Sequence, residues 1–184
     1  KDLKENDELP SILVNNAGIS MESLKMRIKE EDWNKVINTN LSSVFFMTKA
    51  VIAGMMKKRH GRIINIGGLA ARNAGTYSGL RNLALVHMTK TLSLELAPHG
   101  LTVNIVHPGQ TMTEKKPTRI SIESEQTNVP EDQIYQQWSN STDIKRIVEA
   151  DEIATLVTFL SSPVSGSITG ESIACGGGVG SSIY

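Results

Sequence analysis

The sequence predicts an α/β fold: a doubly wound parallel sheet with helices on both faces. Three observations carry that expectation. Short, continuously apolar runs such as Ile12-Leu13-Val14 and Ile63-Ile64 alternate with longer segments of helical periodicity. The runs lack the alternation of a sheet with one wet face, so both faces should be covered. Each run also ends in asparagine, glycine or proline, where a chain leaves a strand for a turn.

Taken in order, Ser11-Ile12-Leu13-Val14 is the first strand, turned by Asn15-Asn16-Ala17-Gly18. Over residues 30–58, Trp33, Val36, Ile37, Val44, Met47, Val51 and Met55 recur at helical spacing, and Gly61 reads as the stop signal. Residues 62–66 form a second buried strand ending at Gly67-Gly68. A helix over 78–97 should turn Leu80, Leu83, Ala84, Val86, Leu92 and Leu96 inward, and Pro98-His99-Gly100 closes it. Residues 101–106 are the third strand, broken by Pro108-Gly109. A helix over 150–161 carries Ile153, Leu156, Val157 and Leu160 on one side, and residues 168–174 are a last strand before the glycine-rich GGGVG. Between 111 and 141 polar residues dominate, with Ile120, Ile122, Val129, Tyr135 and Trp138 as apolar contacts. This stretch reads as a substrate lid on a single domain spanning 1–184.

Composition excludes several functions. Nineteen basic and nineteen acidic residues cancel, and no long basic run interrupts the balance, so no nucleic-acid footprint is expected. Lys57-Lys58-Arg59-His60 suits a helix C-terminus, where cations complement the helix dipole. The single Cys175 rules out an intramolecular disulfide and fits a reducing, cytoplasmic setting. No apolar run is expected to approach the length of a bilayer, the first residues lack a secretory h-region, and no Cys/His cluster has metal-ligand spacing.

In doubly wound sheets, ligands bind beyond the carboxyl ends of the strands. Those ends are NNAG, NIGG and VHPGQTMT, rich in small and hydroxyl residues. With ILVNNAG, INTNL, GRIINIGG, LSLELAP, LTVNIVHPG and ITGESIACGGG in order, the chain resembles the carboxyl-side two thirds of a classical short-chain dehydrogenase/reductase. That resemblance implies a Rossmann-like fold, an NAD or NADP cofactor, a small-molecule substrate with a hydroxyl, carbonyl or enoyl group, and a homodimer or homotetramer. It also implies a missing N-terminal βαβ unit, because about ten residues precede the first strand and the pyrophosphate-binding turn belongs upstream. This chain alone is therefore expected to bind a nicotinamide cofactor no tighter than roughly millimolar.

The resemblance also assigns site residues. Pro108, Gly109, Thr111 and Thr113 match the family's PGxxxT at the nicotinamide amide. Asn16, Ala17 and Gly18 would line the adenosine side, with Ile66 at the strand end beside them; Asn16 could equally brace the sheet. Asn40 matches the family's asparagine, which holds a water in the proton relay. The family serine that polarises the carbonyl is replaced by Gly68. The tyrosine acid and its lysine have two registers. Local pattern pairs Tyr77 with Arg81; counting back from Thr89, Leu92 and Glu95 puts Ser78 and Asn82 there instead, which the helix register favours, since a one-residue slip turns the face by about 100°. Arginine cannot give up its proton but could lower the pKa of Tyr77, whereas a serine hydroxyl without a base is a poor acid. Two functions stay open: an oxidoreductase with an altered acid, or a catalytically lapsed relative acting as a nucleotide-binding or oligomeric protein. His107, His87, Asn104 and Cys175 read as packing or bridging residues.

Overall fold

The computed structural model describes residues 9–19, 27–72 and 78–179. Four parallel strands form the main sheet: β1 (Ile12–Asn15), β2 (Gly61–Ile66), β3 (Leu101–Pro108) and β6 (Ser172–Cys175), in that spatial order. Register runs Leu13 to Ile63, Ile63 to Val103 and Val106 to Ile173. Between the strands lie α1 (Glu30–Ile37), α2 (Ser43–Lys58), α3 (Ser78–Leu96), α4 (Lys116–Thr127), α5 (Glu131–Asn140) and α6 (Ala150–Ser161). A second, two-stranded parallel ladder joins β4 (Thr111–Met112) to β5 (Val148–Glu149).

Both faces of the sheet are covered, as continuously apolar strands require. On one side Val51 and Met55 of α2 and Leu96 of α3 pack on Ile63, Leu101 and Val103. On the other, Ile153 and Leu160 of α6 pack on Ile64 and Val106. The first turn of α6 is closed by a capping box between Glu149 and Glu152, and Arg146 grips Glu152 at 2.6 and 2.8 Å.

Several elements differ from expectation. The 30–58 helix is one continuous helical segment but contains a π-helical turn at Asn38–Ser42. The extra residue in that turn rotates the remainder of the helix, so Thr48 faces the sheet and Met47 faces out. By length and composition this segment could cross a bilayer, which corrects the expectation that no run came near; a core helix passes the same test. Gly61 is not the helix stop: Arg59 takes the left-handed cap, and Gly61 opens β2, where a Cβ would lie 2.7 Å from Met55 Sδ. The inner face of α3 is only partly the expected one: Leu96 is buried and Val86 and Leu92 pack against the core, but Leu80 and Leu83 face out. Gly79, Asn82, Leu85, Thr89, Ser93 and Leu96 are buried, while Leu80, Leu83 and Leu94 are exposed.

The polar inner face has a partner. Asn65 Nδ2 donates to Thr89 Oγ1 at 2.9 Å, and Asn15 Nδ2 donates to Asn65 Oδ1 at 2.9 Å, so one chain of side-chain bonds crosses β1, β2 and α3. Asn65 is fully buried. Replacing Asn65 by Ala removes one bond from each neighbour, leaving the Asn15 amide a 3.5 Å contact with Thr48 Oγ1 and the Thr89 hydroxyl its bond to Leu85 O. The two lost bonds together are worth about 1–3 kcal/mol. Urea unfolding should therefore show Asn65→Ala losing at least that much, whereas loss within about 0.5 kcal/mol would mean the seam is not structural.

Candidate functional site

The carboxyl ends of β1, β2 and β3 lie along one side of the sheet, and the site candidates among the described residues are placed there as follows. After β1, Asn16, Ala17 and Gly18 are exposed in an irregular segment. The sheet-bracing amide is the preceding Asn15, which is buried; Asn16 does not play that part. Asn40, in the π-helical turn, is 4% exposed, and its amide is consumed by the backbone of Ile19: it accepts from Ile19 N and donates to Ile19 O, each at 2.8 Å. Its side chain thus ties the segment after β1 to the helix. A π-turn is a frequent device for swinging one helical residue out of register toward a site.

At the end of β2, Ile66 is half-buried and Gly67 and Gly68 lead into the helical turn Leu69–Arg72. No hydroxyl stands at Gly68, and an added Cβ would meet Asn82 Nδ2 at 3.1 Å. Asn82 is therefore the α3 residue that faces the end of β2, and it is 3% exposed. Ser78, the first residue of α3, lies one turn earlier, half-buried. Arg81 lies about 100° round the helix from Asn82. It is half-buried and makes no ion pair among the described residues, and burial pushes its pKa below the ordinary guanidinium value. Tyr77 lies outside the described residues.

His107, read from the sequence as a packed strand residue, contacts the same place. It is 1% exposed; its Nδ1 sits 3.1 Å from Gly68 N and 3.0 Å from Gly68 O, and its Nε2 sits 2.9 Å from Ser172 Oγ. Nδ1 accepts from the Gly68 N–H in one tautomer and donates to the Gly68 carbonyl in the other. A Cβ on Gly67 would come within 2.8 Å of that nitrogen, so the glycine makes room for the ring. Asn104 bridges β3 to the segment that leads into β6, donating to Ile168 O at 2.8 Å and accepting from Glu171 N at 3.1 Å. Half-buried Cys175 pairs in register with Pro108, and burial raises its thiol pKa.

The turn after β3 completes the edge. Gly109 packs against the glycine-rich segment, where a Cβ would lie 2.6 Å from Gly176 Cα. Thr111 Oγ1 donates to Gly109 O at 3.1 Å, Pro108 and Thr111 are half-buried, and Thr113 is exposed. Beyond the turn, the stretch expected as a polar lid folds into the hairpin of α4 and α5, with Ile120 and Ile134 buried inside and Ile122 and Tyr135 exposed. Together residues 108–113 make a closely packed turn with hydroxyls and backbone groups at the strand ends, chemistry that can hydrogen-bond a polar ligand. Among the described residues no glycine-rich turn opens a helix to hold a pyrophosphate, and no group of His, Cys, Asp and Glu could hold a metal ion. Sequence reasoning missed Asn65 and the outward-turned leucines of α3, because both depend on how the helix is rotated against the sheet.

Comparisons with known proteins agree with this arrangement. The family model described as enoyl-(acyl carrier protein) reductase matches residues 2–180. The 3-oxoacyl-[acyl-carrier-protein] reductase FabG of Vibrio harveyi is 40% identical over 179 residues, covering 95% of this chain and 69% of its own length. FabG of Escherichia coli K12 is 42% identical over 172 residues, covering 91% and 66%. The chain thus spans about two thirds of the length of these relatives. YwfH, an NADPH-dependent reductase of bacilysin biosynthesis, superposes with a TM-score of 0.90 at 26% identity, covering 99% of this chain and 71% of YwfH. A 3-oxoacyl-[acyl-carrier protein] reductase from Brucella melitensis with bound NAD gives 0.79 at 25% identity, covering 96% and 64%. On its ordered motifs, its Rossmann-like sheet and these matches, the chain belongs to the short-chain dehydrogenase/reductase family.

Proposed function

We propose that the chain carries the nicotinamide- and substrate-facing part of an NAD(P)-dependent oxidoreductase, acting on a carbonyl, hydroxyl or enoyl group, with its proton-donating positions remodelled. The observation that supports this most is the convergence of Asn40, Gly68, Asn82 and the 108–113 turn at the ends of three parallel strands. The relatives named above are 3-oxoacyl-[acyl-carrier-protein] reductases, which makes the 3-oxo group of an acyl chain on a carrier protein the first substrate class to test. A bound nicotinamide would supply the hydride.

The residues of this chain then divide the work. Pro108, Gly109, Thr111 and Thr113 would orient the nicotinamide carboxamide through backbone and hydroxyl groups, and Asn16, Ala17, Gly18 and Ile66 would line the rest of the cofactor path. Asn82 offers a neutral amide where a lysine ammonium would grip the ribose and acidify a tyrosine, so the sugar contact could survive while the acidifying charge is lost. With Gly68 in place of a serine, no side-chain hydroxyl polarises the carbonyl. Proton delivery falls to Ser78, a poor acid on its own, or to Tyr77 with Arg81. The same replacements favour a second reading, a lapsed relative that binds nucleotide without turnover.

One pair of variants in the longest form of the protein separates these readings. If Tyr77 is the acid, Tyr77→Phe should cut turnover by about 10²–10⁴-fold. We expect Tyr77→Phe to leave turnover within about threefold, and Gly68→Ser with Ser78→Tyr and Asn82→Lys to raise it by about tenfold or more through restored acid catalysis. A hundredfold loss in Tyr77→Phe, with the fold intact by circular dichroism, would instead make Tyr77 and Arg81 the working pair.

We also propose that copies associate through α2 and α3. Phe45, Phe46 and Met47 on α2 and Leu80 and Leu83 on α3 are exposed, and Phe45 and Phe46 stack edge to face at 5.4 Å. Exposed apolar side chains of this size on two helices are the kind that an interaction surface carries. Phe46→Glu combined with Leu83→Glu should convert a dimer or tetramer to monomer in multi-angle light scattering at micromolar protein. A monomer before mutation, or an unchanged oligomer after it, would contradict the assignment.

A further inference from the structure

Lys116 is an uncommon residue to bury. It is 7% exposed, and its Nζ donates to Gln110 Oε1 at 2.7 Å while lying 3.9 Å from the centre of the Trp138 ring. No carboxylate pairs with it; among the described residues the ion pair is Arg146 with Glu152. A buried lysine without a counter-ion is expensive, so the contacts it keeps must hold something in place. Burial lowers its pKa first and nearby Arg119 lowers it further, while Glu123 acts the other way.

The three partners come from three different segments. Gln110 sits in the turn between β3 and β4, and its carbonyl is already fixed by Val148 N at 2.9 Å. Lys116 opens α4, and Trp138 stands near the end of α5. The apolar filling between α4 and α5 is thin, with Ile120 and Ile134 as the buried aliphatic residues of the two helices. A charge-assisted hydrogen bond and a desolvated cation–π contact each exceed a single exposed contact in strength. Both leave from one nitrogen.

We infer that Lys116 is a positioning residue that docks the α4–α5 hairpin onto the Pro108–Thr113 turn, through Gln110 on one side and Trp138 on the other. The hairpin and the turn then move as one body, and releasing the ammonium frees α5 to lift from the turn. Its meaning for catalysis rests on the reading of that turn as cofactor-facing; the docking does not.

The chain has two tryptophans, so Trp33→Phe leaves Trp138 as the sole indole emitter. In that background we compare Lys116→Met, which keeps the length and removes the charge and the donor, with Lys116→Arg, which keeps the cation. Lys116→Met should raise acrylamide quenching of Trp138 severalfold, shift its emission to the red, and speed amide hydrogen exchange in α4 and α5 by on the order of tenfold, leaving β2 and β3 unchanged. Lys116→Arg should restore quenching and exchange most of the way to the parent. The proposal is overturned if Lys116→Met leaves Trp138 as shielded as before, if the Met and Arg variants behave alike, or if the Met variant loses protection equally in β2 and β3. That last result would make Lys116 a general contact of the fold.

Discussion

The hydrogen-bond chain from Asn15 through Asn65 to Thr89 is the constraint on which the rest of this structure depends. It runs through the buried interface between the sheet and α3, where water cannot substitute for a lost partner. A polar group buried there without its bond would cost more than the bond contributes, so the chain acts as a register lock. It sets the rotation of α3, and that rotation decides which α3 residue meets the end of β2. Because Thr89 must reach Asn65, Asn82 is brought to Gly68 seven residues earlier, and Arg81 is turned aside.

The same lock explains where the leucines went. With Asn82, Leu85, Thr89, Ser93 and Leu96 committed to the sheet, Leu80, Leu83 and Leu94 are left on the outer surface. The π-helical turn has the parallel effect on the preceding helix, sending Thr48 inward, with its Oγ1 3.5 Å from Asn15 Nδ2, and Met47 outward. Site and surface therefore share one cause. At the strand ends, Gly67 leaves room that the His107 ring fills, bonding to Gly68 and to Ser172 of the edge strand. The missing side chain at Gly67 and the imidazole at 107 are two sides of one packing solution, while the space beside Gly68 is taken by Asn82.

Much of the fold was legible because the strands are short apolar runs closed by glycine, asparagine or proline, and that pattern is local. The carboxyl-end location proposed for the site rests on topology, and the roles proposed for Pro108, Gly109, Thr111 and Thr113 rest on motif order, while the Asn40 amide is taken up by the backbone of Ile19. What escaped was rotational. A leucine-rich helix invites the inference that leucines point inward, and only the distant Asn65 reveals that Thr89 does. The left-handed Arg59 cap and the docking of Lys116 on Trp138 were equally out of reach, since each joins residues whose contact depends on tertiary geometry.

The central claim is that α3 presents Asn82, and not Arg81, to the ligand at the end of β2. A crystal structure with a reduced nicotinamide cofactor soaked in well above millimolar concentration tests it directly. The expected result places the carboxamide of the ring against the Pro108–Thr113 turn and a cofactor or substrate oxygen within hydrogen-bond distance of the Asn82 amide. A ligand held by Arg81 together with the Tyr77 hydroxyl, with Asn82 turned away, would contradict it.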